Sequence, residues 1–158
     1  MKHFTVSPIG NIEVCEQGVY IKVAEAYRTG LKELEGFSHL MVIWWFDEND
    51  CGEARGILET SAPYRLAPQS MGVFATRSPF RPNPIALTTA QIIDVDQENG
   101  VIVISHIDAH DNTPILDLKP YTPSLDRVEQ PNVPAWCAHW PKSLEDSANF
   151  DWEKEFNF

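Results

Sequence analysis

The chain has 158 residues, enough for one domain with a sizeable core, and 43% of them are hydrophobic, which predicts an ordered protein. No apolar run approaches the ~20 residues of a membrane-spanning helix, the N-terminus lacks a secretion signal, and three cysteines without a C-x-x-C pair favour free thiols. The formal net charge of −11 argues against attachment to nucleic acid by general electrostatics, so we expect a soluble, cytoplasmic protein with no membrane partner.

Short strands and turns dominate the first part of the chain. Residues 19–23 alternate in the manner of a half-buried strand. Residues 24–34 are the best helix candidate, with Gly36 as its stop. The apolar run at 40–46 is rich in β-forming residues and predicts a buried strand.

The second part of the chain continues this β pattern. Asn99-Gly100 separates apolar runs at 85–95 and 101–104, and it predicts a hairpin because both residues accept positive φ. Many of the twelve prolines lie at 63–84 and 114–141 and exclude long helices there. The balance favours a mostly-β barrel or sandwich with minor helices.

Charge is spread unevenly along the chain. Residues 61–93 contain no Asp or Glu but include Arg65, Arg77 and Arg81, so this window carries +3. Two interpretations stay open: a buried strand with a chance deficit of acids, or a positive pocket for an anionic or nucleotide-like ligand.

The C-terminal residues have the opposite character. Residues 144–158 hold five acidic and four aromatic side chains with one lysine. An acidic, solvated segment is the preferred interpretation, although the aromatic side chains allow it to attach to the body of the protein. We therefore expect a β-barrel domain over residues 1–141 and a tail over residues 142–158.

The stretch from 71 to 85 is rigid and basic. Its three prolines restrict the preceding residues to extended conformations, so the loop loses little entropy when it binds a ligand. Arg77 and Arg81 would then present planar donors to a carboxylate, ribose or phosphate. The alternative is a proline-rich crossover whose arginines pair with the abundant acids of the chain.

The sequence GVFATRSPFRPNPI at 72–85 resembles the signature of the TrmO (TsaA-like) methyltransferases. Blocks at 7–10 (SPIG), 34–40 (LEGFSHL) and 111–121 (DNTPILDLKPY) agree in order, so the resemblance covers roughly residues 4–125. The resemblance implies a small closed, non-Rossmann β-barrel that binds S-adenosylmethionine (SAM) near a homodimer interface. It also implies methyl transfer to N6 of threonylcarbamoyladenosine beside the tRNA anticodon, by a short form without the family's C-terminal domain.

The resemblance also implies which residues bind the cofactor. Arg77 matches the family arginine that touches SAM, and Asp47 with Glu48 occupies the place of a usual His-Gln pair. Ala86 and Asn112 each stand where the family has glycine. The remaining implied cofactor-binding residues are Phe74, Thr76, Arg81, Asn83, Leu87, Thr88, Ile107, Asp108, Ala109 and His110.

The block at 111–121, near the end of the resemblance, contains the candidate catalytic residues. Asp117, Lys119 and Tyr121 match its Asp-Ile-Lys-Pro-Tyr pattern, and strand alternation puts all three on one face, as a pocket wall or as barrel-closing hydrogen bonds. Methyl transfer needs alignment, exclusion of water and a base for the acceptor's proton. We predict Asp117 as that base, with Asp108 or, through water, Tyr121 as the alternatives, and Arg65 and Lys119 as substrate contacts.

Other patterns indicate less. His106, Asp108 and His110 share one face of an extended segment, but no further ligand cluster accompanies them, so we predict no metal site. Two classes of function stay open. One is a SAM-dependent methyltransferase acting on a tRNA nucleoside or a different small substrate, and the other is a SAM-binding module without transferase activity.

Overall fold

The computed structural model describes residues 2–158, and the chain divides into two compact units. The first, called here the barrel unit, comprises Met1–Asp50 and Asn83–Arg127. The second, called the hairpin unit, comprises Cys51–Pro82 and Val128–Phe158. Within the described residues no helix is long and apolar enough to cross a membrane.

Strands account for most of the regular structure in residues 2–158. The eight strands are β1 (Gly10–Cys15), β2 (Gly18–Val23), β3 (His39–Trp45), β4 (Glu59–Ser61), β5 (Ser70–Gly72), β6 (Ile85–Asp96), β7 (Val101–Ile104) and β8 (Pro114–Pro120). The α-helices are α1 (Gly52–Arg55), α2 (Pro123–Asp126) and α3 (Leu144–Ser147). Short 3₁₀ helices occur at Glu25–Leu31, Leu34–Gly36, Asp47–Asn49, Val73–Ala75, Ala135–Cys137 and Trp152–Lys154.

Six strands of the barrel unit form a closed barrel in the order β1-β2-β7-β6-β3-β8, with β8 returning to β1 and every pair antiparallel. The predicted closed β-barrel is confirmed. Along β3 the side chains of Leu40, Val42 and Trp44 are buried, while those between them are partly exposed. Apolar side chains fill the interior, including those of Ile12, Ile21, Leu40, Ile102 and Ile115.

The single helix predicted over residues 24–34 is wrong in type. A 3₁₀ helix at Glu25–Leu31 is followed by extended Lys32 and by Glu33 at φ 67°, before a second 3₁₀ turn. Thr29 and Gly30 have low helix propensity, and the break allows Leu31 to be buried and Leu34 to pack against the core.

The predicted β6–β7 hairpin is confirmed, but its loop differs from the expectation. Four residues connect the paired Asp96 and Val101, and Gly100 takes φ 72° whereas Asn99 does not have positive φ. Asn99 instead donates to both carboxylate oxygens of Asp96, from its backbone N at 3.0 Å and from Nδ2 at 2.7 Å. Gly100 is required because a Cβ there would lie 2.6 Å from the Val23 carbonyl oxygen.

The hairpin unit is built on the β4–β5 pair and on aromatic side chains. The Tyr64 ring stacks on Trp136 at 5.4 Å between centroids and meets Trp140 edge-on at 4.9 Å. Trp152, from the predicted tail, contacts Trp140 at 5.3 Å. The aromatic residues therefore attach the tail within this unit, while the domain boundary proposed after residue 141 stays a prediction.

Candidate functional site

One end of the barrel, called here the upper rim, gathers residues 46–50, 84–87 and 107–114. Because neighbouring strands run antiparallel, β3 and β7 end there while β6 and β8 begin there. Two implied cofactor residues meet at this rim: His110 Nε2 lies 3.5 Å from Glu48 Oε2, and both side chains are largely exposed.

Hydrogen bonds fix the segment that carries Asp47 and Glu48. The backbone N of Phe46 donates to the Pro84 carbonyl at 2.8 Å, and Trp45 Nε1 donates to Asp50 Oδ2 at 3.0 Å. Asp47 and Glu48 form the next 3₁₀ turn and are exposed. Their carboxylates thus lie on a braced turn and can accept hydrogen bonds.

The loop before β8 is fixed by the residue that replaces a family glycine. Asn112 takes φ 64°, a left-handed conformation that asparagine tolerates, and its backbone N donates to the Ile12 carbonyl at 2.8 Å. Asp111 Oδ1 accepts from the Val14 backbone N at 2.9 Å. These contacts tie the loop that carries His110 to β1.

Several implied cofactor residues of this unit direct their side chains inward. The Thr88 hydroxyl accepts from Trp44 Nε1 at 3.0 Å, Ile107 is buried, and Ala109 packs against the core. A cofactor role of these residues stays a prediction. Asp108 and Leu87 are exposed.

A small cavity of about 190 Å³ lies beside the upper rim. Trp45 at the end of β3 and Pro114 at the start of β8 line it together with Leu116, Val6 and Pro8. Pro8 belongs to the SPIG block of the resemblance, for which the sequence alone indicates no role. The cavity is mostly apolar and suits the non-polar part of a ligand.

Internal hydrogen bonds stabilise the signature loop, which is defined here as residues 73–82 of the hairpin unit. Thr76 is buried, and its hydroxyl donates to the Val73 carbonyl at 2.8 Å and accepts from the Ser78 backbone N at 3.2 Å. Arg81 Nη1 lies 3.5 Å from the carbonyl oxygens of Thr76 and Ser78. Thr76 and Arg81, both implied cofactor residues, therefore hold the loop together.

Other implied residues of the signature are exposed. Phe74 is 77% exposed, which is unusual for an aromatic side chain, and Arg77 lies three residues further along the same loop. Asn83, in the barrel unit, is exposed, and its carbonyl accepts from the Ile85 backbone N at 2.7 Å. Phe74 thus presents an aromatic face to solvent.

Asp117 and Lys119 share the outer face of β8, as strand alternation predicts. Lys119 Nζ lies 2.7 Å from Asp117 Oδ2, and the Leu118 backbone N donates to Asp117 Oδ1 at 3.0 Å. Asp117 is opposite Ile43 of β3, whose other neighbour is Leu87 of β6. Asp117 and Leu87 are therefore about 10 Å apart, two strand spacings, on one wall.

Tyr121 follows the end of β8. Its backbone N donates to the His39 carbonyl at 3.0 Å, and its ring meets the His39 ring edge-on at 6.3 Å between centroids. The Ser38 hydroxyl lies 2.9 Å from His39 Nδ1. Tyr121 is thus positioned by the LEGFSHL block at 34–40.

A larger cavity of about 360 Å³ opens at the barrel end opposite the upper rim. Asp117 contributes to its lining, but the upper-rim carboxylates and His110 do not. The 3₁₀ segments before β3 provide most of the wall, and sequence reasoning missed them because it predicted one regular helix there. The other lining residues are Ile9, Val23, Tyr27, Gly30, Leu31, Lys32, Glu33, Leu34, Phe37, Leu118 and Pro120.

Arg65, an implied substrate contact, is paired inside the hairpin unit. Its Nη2 lies 3.2 Å from Glu155 Oε1, and Glu155 is only 3% exposed. The buried carboxylate also accepts from His139 and Trp140. The sequence gives no local signal for this cluster, because Arg65 and Glu155 are 90 positions apart.

Metal-ligating and thiol groups are dispersed. Among residues 2–158 no group of three or more His, Cys, Asp or Glu side chains is placed to hold a metal ion. Cys15, Cys51 and Cys137 are free thiols, and burial raises the pKa of the Cys137 thiol.

The family model of the tRNA-methyltransferase O N-terminal domain matches residues 3–127. The chain belongs to this family. The match spans every strand of the barrel and the whole signature loop, so the resemblance of the sequence blocks is confirmed.

Individual proteins are similar over much of this chain. A probable S-adenosyl-L-methionine-binding protein of Methanocaldococcus jannaschii is 36% identical over 123 residues, covering 78% of this chain and 96% of that protein. The tRNA (adenine(37)-N6)-methyltransferase of Escherichia coli is 34% identical over 128 residues, covering 79% of this chain and 52% of that enzyme. The crystal structure of TrmO from Pseudomonas aeruginosa superposes with a TM-score of 0.63 at 28% identity, covering 84% of this chain and 62% of that one.

Proposed function

We propose that this protein is a SAM-dependent methyltransferase that acts on tRNA, with N6 of threonylcarbamoyladenosine next to the anticodon as the acceptor. The observation that carries the proposal is the family match over residues 3–127. The chain spans about half the length of the Escherichia coli enzyme and 62% of the Pseudomonas aeruginosa chain. The methyltransferase activity and the tRNA substrate are therefore proposed for this chain.

We propose that SAM binds outside the barrel, with residues of the upper rim among its contacts. The interior is filled by fully buried side chains such as Ile21 and Leu40, so a ligand must bind at the rim or on the wall. Asp47 and Glu48 can accept ribose hydroxyls, and Trp45 borders an apolar cavity. In the hairpin unit, Arg77 is the residue matched to the family's cofactor-contacting arginine, a donor suited to a carboxylate.

SAM bound here would supply a methyl group on a sulfonium centre, whose neutral thioether is an excellent leaving group when the methyl is transferred. The protein then has to align the acceptor nitrogen and remove its proton. Asp117 is the proposed base, because each of its oxygens has one fixed donor, Lys119 or Leu118, and keeps a lone pair for the incoming proton. Tyr121 is proposed to relay through water, and Lys119 to contact the substrate.

The outer wall of β3 and β6 supports the proposed homodimer. Met41, Ile43 and Trp45 alternate outward on β3, and Ile85 and Leu87 beside them on β6 are 43% and 44% exposed. We propose that a second copy covers this apolar wall and that SAM binds near the interface, since Leu87 is an implied cofactor residue. Leu87→Arg should shift the protein to monomers in analytical ultracentrifugation, whereas Ile93→Arg, further along β6, should not.

The second candidate is a SAM-binding module without transferase activity. It is favoured by the Methanocaldococcus jannaschii relative, which bears the name of a probable SAM-binding protein and is covered to 96%. We propose a cytoplasmic location under both candidates, since free thiols such as Cys15 and Cys51 stay reduced there.

Methyl transfer from labelled SAM separates the two candidates. The protein is incubated with labelled SAM and total tRNA from a strain that lacks the gene, and the tRNA is digested to nucleosides. Label in a modified adenosine supports the methyltransferase, and SAM binding without transfer to RNA, protein or small molecules supports the module. Arg77→Ala should abolish SAM binding, while Arg127→Ala, an exposed arginine outside the signature, should leave binding unchanged.

A further inference from the structure

The C-terminal segment lies outside the matched domain yet packs in the unit that carries the signature loop. The family match ends at residue 127, and Val128–Phe158 joins Cys51–Pro82 in the hairpin unit. The signature turn Val73–Ala75 and the loop through Pro82 belong to this same unit. The role of the segment is therefore to be sought in its contacts within the hairpin unit.

A buried carboxylate is the centre of these contacts. Glu155 Oε1 lies 3.2 Å from Arg65 Nη2 and 2.9 Å from His139 Nε2, and Oε2 accepts from Trp140 Nε1 at 3.0 Å. The hydrogen bond from His139, followed by that from Trp140, lowers the pKa of Glu155. A buried carboxylate with three donors fixes the geometry of every group around it, because losing one partner leaves others unsatisfied.

The backbone around Glu155 forms an additional edge beside the hairpin. The Arg65 backbone N donates to the Glu155 carbonyl at 2.9 Å, and Tyr64 forms an antiparallel bridge with Phe156. Asn157 donates from its backbone N to the Pro63 carbonyl at 3.1 Å and from Nδ2 to the Ala62 carbonyl at 2.9 Å. Residues 62–65 are thus held by residues 155–157 over their whole length.

A short path leads from this edge to the signature loop. The Ala62 backbone N donates to the Gln69 carbonyl at 3.0 Å, and Ser61 pairs with Ser70 across β4 and β5. β5 ends at Gly72, and the signature turn begins at the next residue. Residues 62–65 are thereby connected through hydrogen bonds to the strand from which the signature loop starts.

We propose that Glu155 is a positioning residue for the signature loop. By binding Arg65 it keeps the β4–β5 hairpin in place, and the hairpin in turn keeps Phe74 and Arg77 in their ligand-binding arrangement. Residues 128–158 are thereby a brace for the cofactor loop, and Arg65 belongs to the brace. The inference rests on the proposed function, since the loop is positioned for SAM.

The test compares Glu155→Ala and Glu155→Gln with Glu153→Gln, which changes an exposed acid of the same segment. Wild type and variants are measured for SAM affinity by calorimetry, for kcat at saturating SAM, and for amide hydrogen exchange of residues 70–82. If the fraction of molecules whose signature loop can bind SAM falls to about a tenth in Glu155→Ala, the Kd for SAM rises about tenfold. The kcat at saturating SAM then stays within about twofold. Glu155→Gln keeps an acceptor for Trp140 and should give an intermediate Kd, with faster exchange at 70–82 in both Glu155 variants.

The outcomes separate the inference from the proposed function. A wild-type protein that fails to bind SAM overturns the proposed function, whereas hydrogen exchange still reports on the brace. Normal SAM affinity and unchanged exchange at residues 70–82 in Glu155→Ala overturn the brace. If Glu155→Ala does not fold, Arg65→Met replaces it, because the Arg65 side chain is 58% exposed and its loss leaves the aromatic contacts intact.

Discussion

Replacing Asp117 with asparagine tests the assignment of the base with little change in shape. The side-chain oxygen of asparagine can still accept from the Leu118 backbone N, a hydrogen bond of 3.0 Å in the structure. The substitution removes the ion pair with Lys119, whose side chain is 56% exposed against 49% for Asp117. Ion pairs at such exposure contribute about 0.2–1 kcal/mol, so we expect the free energy of unfolding to fall by less than about 1 kcal/mol.

The expected effect on turnover is much larger. A positioned general base contributes roughly 10²–10⁴-fold to a rate, and a hundredfold loss corresponds to about 2.7 kcal/mol in the activation free energy. Asp117→Asn should therefore lower kcat at least a hundredfold while the Kd for SAM stays within about twofold, because Asp117 is assigned to the acceptor and not to the cofactor.

The assay follows methyl transfer in a single turnover at saturating SAM, with urea unfolding and calorimetry on the same preparations. Asp94→Asn is the matched control, since Asp94 is an exposed carboxylate on β6 of the same barrel. Full turnover by Asp117→Asn with intact SAM binding would refute the assignment. Asp108, exposed in the segment before β8, would then be the next carboxylate to replace.

Three further predictions concern stability. Gly10→Ala should lower the free energy of unfolding by about 3 kcal/mol or more in urea titrations, because the new Cβ would lie 2.0 Å from a carbonyl oxygen of β2. Gly30→Ala is the control: its Cβ meets nothing within 4 Å, so the free energy of unfolding should change by under about 1 kcal/mol. Trp44→Phe should cost about 1–3 kcal/mol by the same measurement, because it removes the Nε1 donor from the Thr88 hydroxyl inside the barrel. The pKa of Glu155 in the folded protein is lowered from its usual value of 4.5, so the unfolded chain binds the proton more tightly. The ionised Glu155 should therefore stabilise the fold fully above about pH 4.5, and this stabilisation should be lost as pH falls through the folded pKa. Glu155→Gln should remove this part of the dependence of Tm on pH.

Local patterns predict the strands well because burial imposes alternation on them. The apolar run at 40–46 corresponds to β3, and the Asn-Gly signal corresponds to the β6–β7 hairpin. The order in which β2 meets β7 and β3 meets β8 is not contained in any local pattern, since it depends on pairing between distant segments. The helix expected at 24–34 fails because the low helix propensity of Thr29 and Gly30 and the packing of Leu31 against the core both favour a break.

The site is predictable from the sequence only where a motif identifies it. Family blocks indicate Glu48 and His110, but only the closed barrel explains why they meet, since their strands end at one rim. The motif does not separate side chains that face a ligand from those that face the protein. Thr76 and Thr88 both belong to the implied set, and both use their hydroxyls in internal hydrogen bonds.

The net charge of −11 bears on nucleic-acid binding through the contacts of the three arginines in residues 61–93, the window without Asp or Glu. Arg65 is neutralised by buried Glu155, which comes from outside the window. Arg81 lies against carbonyl oxygens of its own loop, and Arg77 is the third, matched to the cofactor-contacting position. Binding a nucleic acid by its phosphates requires several clustered cations, each replacing condensed counterions. This distribution is consistent with the proposed recognition of one cofactor and one nucleotide, for which shape and hydrogen bonds would supply the selectivity.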